Sequence, residues 1–310
     1  MNKTISIISA FYNEEENLKK HLKCLEKLRK KLLKKININF VLVNDGSIDN
    51  SLRLLKTLAK NKKYIKIINL TRNHGQQVAI YAGLKKSRGD YYGVIDSDGQ
   101  QDPLLFLKMF NLLKEKKVDI VQMQKRYGQY EGHLKQFISR IFYALFSYLT
   151  NIDLKPGSSD FYLITKKIKN EIILSSISKY FLRGFIHSLG FKKYYVQYDP
   201  SKRKMGISKY SIDKQIDFAL TAIYLYGTKI FTQIFIFSFI LICISFIFII
   251  YSIYEHYVHD VQTPGWASIV ILVTFFGAIN LFFLSLVTFF SIKFGTVVSS
   301  KKNYISEQIK

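Results

Sequence analysis

Two apolar stretches towards the C-terminal end constrain this chain more than any other feature. No charged residue interrupts Ile230–Tyr254, 25 residues, and none interrupts Val261–Ile292. Pro264-Gly265 should break the second stretch, leaving Trp266–Ile292, 27 residues. At about 1.5 Å of rise per residue, either segment exceeds the roughly 30 Å hydrocarbon core of a bilayer. A buried core helix is the competing reading, but two such helices in succession favour membrane spans, and their position excludes a signal peptide. The connecting segment Glu255–Gly265 holds no Lys or Arg, whereas Lys229 precedes the first span and Lys293, Lys301 and Lys302 follow the second. The positive-inside rule then puts the N-terminal domain and both termini in the cytosol, as an integral protein of the cytoplasmic membrane. Tyr251, Tyr254, Tyr257 and Trp266 suit the outer aromatic belt.

The 229 residues before the spans carry 42 of the 46 Lys and Arg and 19 of the 22 acidic residues, a net charge of +23. That length supports one substantial domain with its own core. Its positive field favours anionic partners such as lipid head groups or nucleotide phosphates, although compositional drift towards Lys accounts for it equally well. The membrane spans disfavour nucleic acid as a partner. Cys24 and Cys243 lie far apart, so neither a disulfide framework nor a cysteine-based zinc site is encoded.

Short apolar runs alternate with amphipathic stretches through the first half. Strands are predicted at Thr4–Ala10, Ile38–Asn44, Tyr64–Leu70, Tyr91–Ile95 and Asp119–Gln124. Helices are predicted at Glu15–Leu33, Asn50–Lys60, Gly75–Ser87 and from Pro103 to about Lys116. This is the pattern of βαβ units, an α/β class with a mostly parallel sheet, in which ligands bind beyond the carboxyl ends of the strands.

Polar clusters stand at four of those ends. Asn13 can cap the helix after the first strand, and Glu14, Glu15 and Glu16 suit its positive end, so capping alone would explain them. Gly46 permits a tight turn after the second strand and Asp49 can cap a helix, which leaves Asp45 for a ligand. Thr71-Arg72-Asn73-His74-Gly75 brings a cation and helix N-terminal amides to a phosphate. Asp96-Ser97-Asp98-Gly99-Gln100 says more. Alternate side chains of an extended segment share a face, so Asp96, Asp98 and Gln100 can converge as hard oxygen ligands for Mg²⁺ or Mn²⁺. A polar turn is the plainer reading, with Asp102-Pro103 as a cap and first helical position. The cap uses Asp102 and leaves Asp96 and Asp98 available.

Taken in order, Tyr12-Asn13-Glu14, Val43-Asn44-Asp45-Gly46-Ser47, Asn73-His74-Gly75 and Asp96-Ser97-Asp98-Gly99-Gln100-Gln101-Asp102-Pro103 resemble a family 2 glycosyltransferase of the GT-A fold. More narrowly they resemble the polyprenyl-phosphate glycosyltransferases, the GtrB-like and dolichol-phosphate-mannose-synthase-like enzymes. Gly157-Ser158-Ser159-Asp160-Phe161, Phe181-Leu182-Arg183-Gly184, Gly206-Ile207-Ser208-Lys209-Tyr210-Ser211 and Pro264-Gly265-Trp266 agree, so the likeness covers nearly the whole chain. Three places depart from the family pattern. Ala10-Phe11 stands where proline usually precedes the Tyr-Asn-Glu motif, and Tyr162 stands where arginine usually follows the Asp-Phe pair. Thr288-Phe289-Phe290-Ser291 replaces the usual Gly-Glu-Tyr stretch. These departures bear on substrate identity and subunit packing more than on reaction type.

The resemblance implies a GT-A catalytic domain over residues 1–209, an interfacial amphipathic helix over 210–229, and a membrane region over 230–310. That region holds spans at 230–254 and 266–292 and ends in a short cytosolic tail. It implies transfer of a sugar with inversion from an NDP-sugar, first UDP-glucose, to polyprenyl phosphate such as undecaprenyl phosphate. Tyr12, Glu14, Asp45 and Asp96 would serve the donor nucleotide, and Asp96, Asp98 and Gln100 a Mg²⁺ or Mn²⁺ ion. Asp98, Asp160 and Arg126 would be catalytic, with Asp160 either aiding proton removal or orienting substrate. Arg126, Arg140, Arg203, Ser208 and Lys209 would hold the acceptor phosphate, although a solvated or lipid-facing basic run explains the last three equally well. Aromatic-rich helices around Phe137–Leu149 and Ile216–Tyr226 would lie at the membrane surface or pack on the sheet. Homo-oligomers would form through the spans. Two alternatives stay open: another lipid acceptor such as a diacylglycerol, and a catalytically silent scaffold that recruits or stabilises a flippase.

Overall fold

The computed structural model describes residues 3–32, 36–126, 157–175, 181–201, 228–258, 265–298 and 306–308, with scattered positions between 143 and 155. The predicted alternation is present as β1 (Thr4–Phe11), α1 (Glu15–Leu32), β2 (Asn37–Asn44), α2 (Ser51–Leu58), β3 (Ile65–Leu70), α3 (Gln76–Lys86), β4 (Tyr91–Val94), α4 (Leu105–Glu115) and β5 (Ile120–Lys125). Then come β6 (Ser158–Thr165), α5 (Lys166–Leu174), α6 (Leu182–Ser188) and β7 (Lys193–Tyr198). Two long helices, α7 (Thr228–Val258) and α8 (Trp266–Val298), precede a last strand, β8 (Ser306–Gln308). The strands form one sheet in the order β7-β5-β6-β4-β1-β2-β3-β8. Only β6 and β8 run against the rest. Strand order reverses around β1, with β2 on one side and β4 on the other. That is the switch point at which sheets of this class open a crevice for ligands.

Each face of the sheet is covered by helices whose apolar residues recur every three or four positions. On α1, Leu18, Leu22, Leu25, Leu28 and Leu32 are buried while Lys19, Lys20, Lys23, Lys27, Lys30 and Lys31 face solvent. With Leu55 of α2 and Phe106, Met109 and Phe110 of α4 they build one core against Ile5, Ile7, Phe40 and Leu42. The opposite core joins Ile80 and Leu84 of α3, Ile168 and Ile172 of α5 and Leu182 and Ile186 of α6 to Ile8, Val41, Val94 and Tyr162.

The chain divides into two compact units. One holds residues 1–147, 152–221 and 300–310, and the other holds 148–151 and 222–299. The second is an antiparallel hairpin of α7 and α8, marked by the ring pairs Phe235 with Phe282 and Phe246 with Phe275. Small residues, Ser238, Ser245, Ala278 and Ser285, are buried, and large apolar ones such as Ile236, Phe237, Ile247, Val273 and Leu284 are exposed. That distribution suits helices that touch through small side chains and present bulky ones to lipid. Gln233–Glu255 and Ile271–Thr288 are long and apolar enough to cross a membrane. Within the segment expected as a short cytosolic tail, Ser306–Gln308 form β8 and pair with β3. Residues 202–227, with the expected interfacial helix, lie outside the described residues. Of the helix expected over Phe137–Leu149, only positions 143–144 and 146–148 are described, and they are helical.

His21 of α1 is buried against β1, its Nε2 3.0 Å from Ser9 Oγ. Burial disfavours the imidazolium and holds its pKa down to about 4. The unfolded chain takes up that proton near pH 6.5, so the neutral form stabilises the fold above pH 6.5 and the stabilisation declines as pH falls to about 4. The loss amounts to about 3 kcal/mol. His187, held at about 3 by burial, then Lys193 and Arg183, titrates in the same sense. Only a comparison of variants therefore isolates His21. In denaturation series from pH 7 to pH 4, the stability gap between wild type and His21→Leu should move in favour of the variant as pH falls. A gap that stays constant with pH would contradict this account.

Candidate active site

The site is a product of register. β4 and β6 pair antiparallel with Tyr91 opposite Thr165 and Val94 opposite Tyr162. Continuing that register by two residues sets Asp96 opposite Asp160, on the same face, because side chains alternate along a strand. On the other side of β6 the ladder with β5 slips between Gln122 and Gln124. The buried Gln122 fills the irregularity, its Nε2 donating to the carbonyls of Ser159 (2.6 Å) and Phe161 (3.3 Å). A bulge held in this way re-aims the neighbouring side chain, here Asp160.

Both carboxyl groups are gripped by N–H donors. Arg183 of α6 meets Asp160 side-on, Nε to Oδ1 at 3.2 Å and Nη2 to Oδ2 at 3.1 Å. Gln77 Nε2 donates to Asp160 Oδ2 at 2.7 Å. Gln76 Nε2 bridges the two acids, 2.7 Å from Asp96 Oδ1 and 3.3 Å from Asp160 Oδ2. Gln101 closes the other side of Asp96, its Nε2 donating to Oδ2 and its Oε1 accepting the Asp96 amide. Burial, then the charges of Asp160 and Asp98, push the Asp96 carboxyl well above the usual range, and Arg183 and Gln101 only partly offset them. Asp98 is partly exposed and accepts the Gln100 amide through Oδ1 at 3.0 Å. Gln100 is also partly exposed, and its carbonyl accepts the Ser201 amide at 3.0 Å. Among the described residues no group of three or more His, Cys, Asp and Glu is close enough to cage a metal by itself. The partly exposed oxygens of Asp98 and Gln100, beside a carboxyl pair short of positive charge, nonetheless fit a hard divalent cation that keeps several waters.

The β1, β2 and β3 ends are stitched to one another. Asp45 is 3% exposed and accepts the amides of His74 (2.8 Å) and Gly75 (2.9 Å) through its two oxygens. Burial raises its carboxyl to about 6, and those two bonds oppose a larger rise. Gly46, at φ +67°, lies so close to Arg72 that a Cβ would run into its backbone. Asn13, at φ +52°, accepts the Ile48 amide and donates its own amide to Ser47 Oγ. Asn13 therefore ties two loops together, where the sequence suggested a helix cap. The amides of His74 and Gly75, expected to face a phosphate, are occupied by Asp45. Asp102 accepts the Leu104 amide through Oδ1, as a cap should.

A family model, glycosyl transferase family 2, matches residues 6–173, more than half of the chain. The chain belongs to this family. A glycosyltransferase of Synechocystis described as uncharacterized is 30% identical over 286 residues, 91% of this chain and 88% of the relative. The bactoprenol glucosyl transferase of Shigella phage SfV is 26% identical over 280 residues, 89% of each. A crystal structure of glucosyl-3-phosphoglycerate synthase from Mycobacterium tuberculosis with Mn²⁺, UDP and phosphoglyceric acid is 16% identical. It covers 72% of this chain and 76% of its own, with a TM-score of 0.48, too distant to bear on ligands.

In this glycosyltransferase, the strand ends gather Tyr12, Glu14, Asp45, Asp96, Asp98, Gln100 and Asp160 on one edge of the sheet. Tyr12 and Glu14 are half-buried at the exit of β1, where the Glu14 amide donates to Ser51 Oγ and its Oε2 accepts Asn17 Nδ2. Arg126 follows β5, 58% exposed, in a loose 3.4 Å pair with Asp199. Arg140, Arg203, Ser208 and Lys209 lie outside the described residues. Sequence reasoning assigned no role to Gln76, Gln77, Gln101, Gln122 or Arg183. The first two occupy the opening turn of a helix that was correctly placed. Arg183 needed the antiparallel strand β6, which no local pattern announced.

Asp45→Asn keeps the shape but turns one acceptor into a donor facing the Gly75 or His74 amide. It should cost about 1–3 kcal/mol of stability. By loosening the loop that leads into α3 it should also raise donor KM more than it lowers kcat. Thermal denaturation and initial-rate kinetics of the purified enzyme check both effects.

Proposed function

We propose that this glycosyltransferase moves a sugar from an NDP-sugar to a polyprenyl phosphate at the cytosolic face of the membrane, with inversion at the anomeric carbon. UDP-glucose and undecaprenyl phosphate are the first pair to test. The observation that carries the reading is the joining, in one chain, of three carboxyl groups at a sheet switch point with two helices long enough to cross a bilayer. Relatives named for glucosyl transfer to bactoprenol, matched over 89% of this chain, support the choice of acceptor and sugar.

The donor would lie across the ends of β1, β2 and β4, its nucleoside against Tyr12, Glu14 and the loop that Asp45 secures. Asp98 and Gln100, with Asp96 behind them, would hold Mg²⁺ or Mn²⁺, which when bound neutralises negative charge on the leaving diphosphate. Arg126, Arg140, Arg203, Ser208 and Lys209 would hold the acceptor phosphate. That phosphate is anionic at neutral pH, so its oxygen attacks without a strong base, and Asp160 orients substrate beside it. Strands before and after the membrane hairpin share one sheet, which supports both flanks of the hairpin lying on the same side of the bilayer.

Detergent-purified protein should release nucleoside diphosphate from one donor of a panel only when undecaprenyl phosphate and Mn²⁺ or Mg²⁺ are both present. Asp98→Ala should lower that turnover by about 100-fold or more, as removal of a main source of charge stabilisation does. Release without lipid would point to hydrolysis or another acceptor. Silence across the panel from folded protein would sink the reading.

A further inference from the structure

Arg183 belongs to none of the donor, metal or acceptor sets, yet it is the guanidinium that faces the acids of the site. Its side chain is 17% exposed and that of Asp160 6%. A buried pair of this kind contributes little net stability over apolar packing, so its retention at a strand end calls for a use. Asp160 accepts two bonds from Arg183, one from Gln77 and one from Gln76, and Gln76 carries the connection on to Asp96. Four N–H groups on two oxygens fix the plane of the carboxyl group. Among the described residues, three carboxyl groups, Asp96, Asp98 and Asp160, share the guanidinium of Arg183, an excess of acid that a divalent cation would offset.

We infer that Arg183 is a positioning residue of the transfer reaction, acting through Asp160 and, by way of Gln76, on Asp96. It sets the aim of the two carboxyl groups and offsets part of the negative charge around them. The inference rests on the proposed sugar transfer, but it makes a separate statement about cation binding. A direct contact of Arg183 with the donor diphosphate would show in donor KM. A purely structural pair would show in stability alone. A positioning role shows in kcat, and its effect vanishes once Asp160 is altered.

The test is a double-mutant cycle of Arg183→Gln and Asp160→Asn in the full-length protein, with Arg183→Lys alongside. The measurements are kcat, donor KM, melting temperature and binding of Mn²⁺ alone by electron paramagnetic resonance. Arg183→Gln should lower kcat by about 10- to 100-fold, the scale of a misaligned reacting geometry, with donor KM nearly unchanged and with part of the rate restored in Arg183→Lys. The double variant should be no slower than Asp160→Asn within about threefold, because both changes act on one carboxyl group. Arg183→Gln should bind Mn²⁺ at least as tightly as wild type, since a nearby positive charge has gone. Effects on kcat that multiply, a rise in donor KM with kcat intact, or weakened Mn²⁺ binding in Arg183→Gln would each overturn the inference. Should Arg183→Gln fail to fold, Gln77→Ala removes a donor from the same Asp160 oxygen. A several-fold fall in kcat at constant donor KM supports the inference, and an unchanged kcat overturns it. A wild type that turns over no donor sinks the transfer reading instead, and the Mn²⁺ titration then decides on Arg183 by itself.

Discussion

β6 enters a sheet built, β8 apart, from parallel crossovers, and it enters in the opposite direction between β4 and β5. A parallel strand in that slot would bring its other end to the ligand edge and leave Asp96 without a facing acid. The antiparallel ladder instead puts two carboxyl groups together, Asp160 buried and Asp96 partly so, which is electrostatically costly. Much of the nearby chemistry follows from that cost. Gln76 and Gln77 open α3, Gln101 folds back from the loop after β4, and Arg183 reaches in from α6, each donating N–H groups to an otherwise underserved anion. The negative charge that these donors do not cancel would suit the hard cation of the proposed reaction.

A second layer of order keeps the edge in place. Asp45 bonds the entrance of α3, Asn13 bonds the loop after β2, and Asp49 accepts amides from both Glu15 and Ser51. Three loops that in an open α/β sheet would move separately are thus linked through side-chain carboxylates and backbone amides. Gly46 permits the approach because its backbone lies in the left-handed region with no room for a Cβ beside Arg72. In the proposed reaction these loops would meet the donor already arranged, which would reduce the ordering cost of binding.

Much of this was legible in the residues. Elements of the first half fall within two residues of their expected ends, since apolar periodicity and turn residues there agree with the tertiary structure. Strand alternation pointed to Asp96, Asp98 and Gln100 and motif order alone to Asp160, and the structure brings Asp96 and Asp160 together. The clamp around Asp160 was not, because it depends on pairing between segments more than 60 residues apart, Asp96 with Asp160, and on a helix further on still. Asp45 shows the opposite failure. Its place at a strand end is legible, but no local pattern signals that backbone amides of another loop occupy both oxygens. Similarly, a segment of mixed polarity after the second span suggests a tail, and only the unpaired edge of β3 makes it a strand.

That last strand has a consequence for how the protein is made. β3 has an open edge for as long as residues 306–308 have not been synthesised, and an unpaired edge is a template for unwanted pairing. β8 follows both apolar helices in the sequence, so it can reach that edge only after the segments of both helices have been made. Pairing of β3 with β8 therefore comes after synthesis of the helical hairpin. A molecule whose hairpin threads the bilayer wrongly, or only once, would hold its C-terminal segment on the far side, away from the edge it should close. For a hairpin that crosses a bilayer, return of the chain to its starting side and closure of the β3 edge are in this way a single condition.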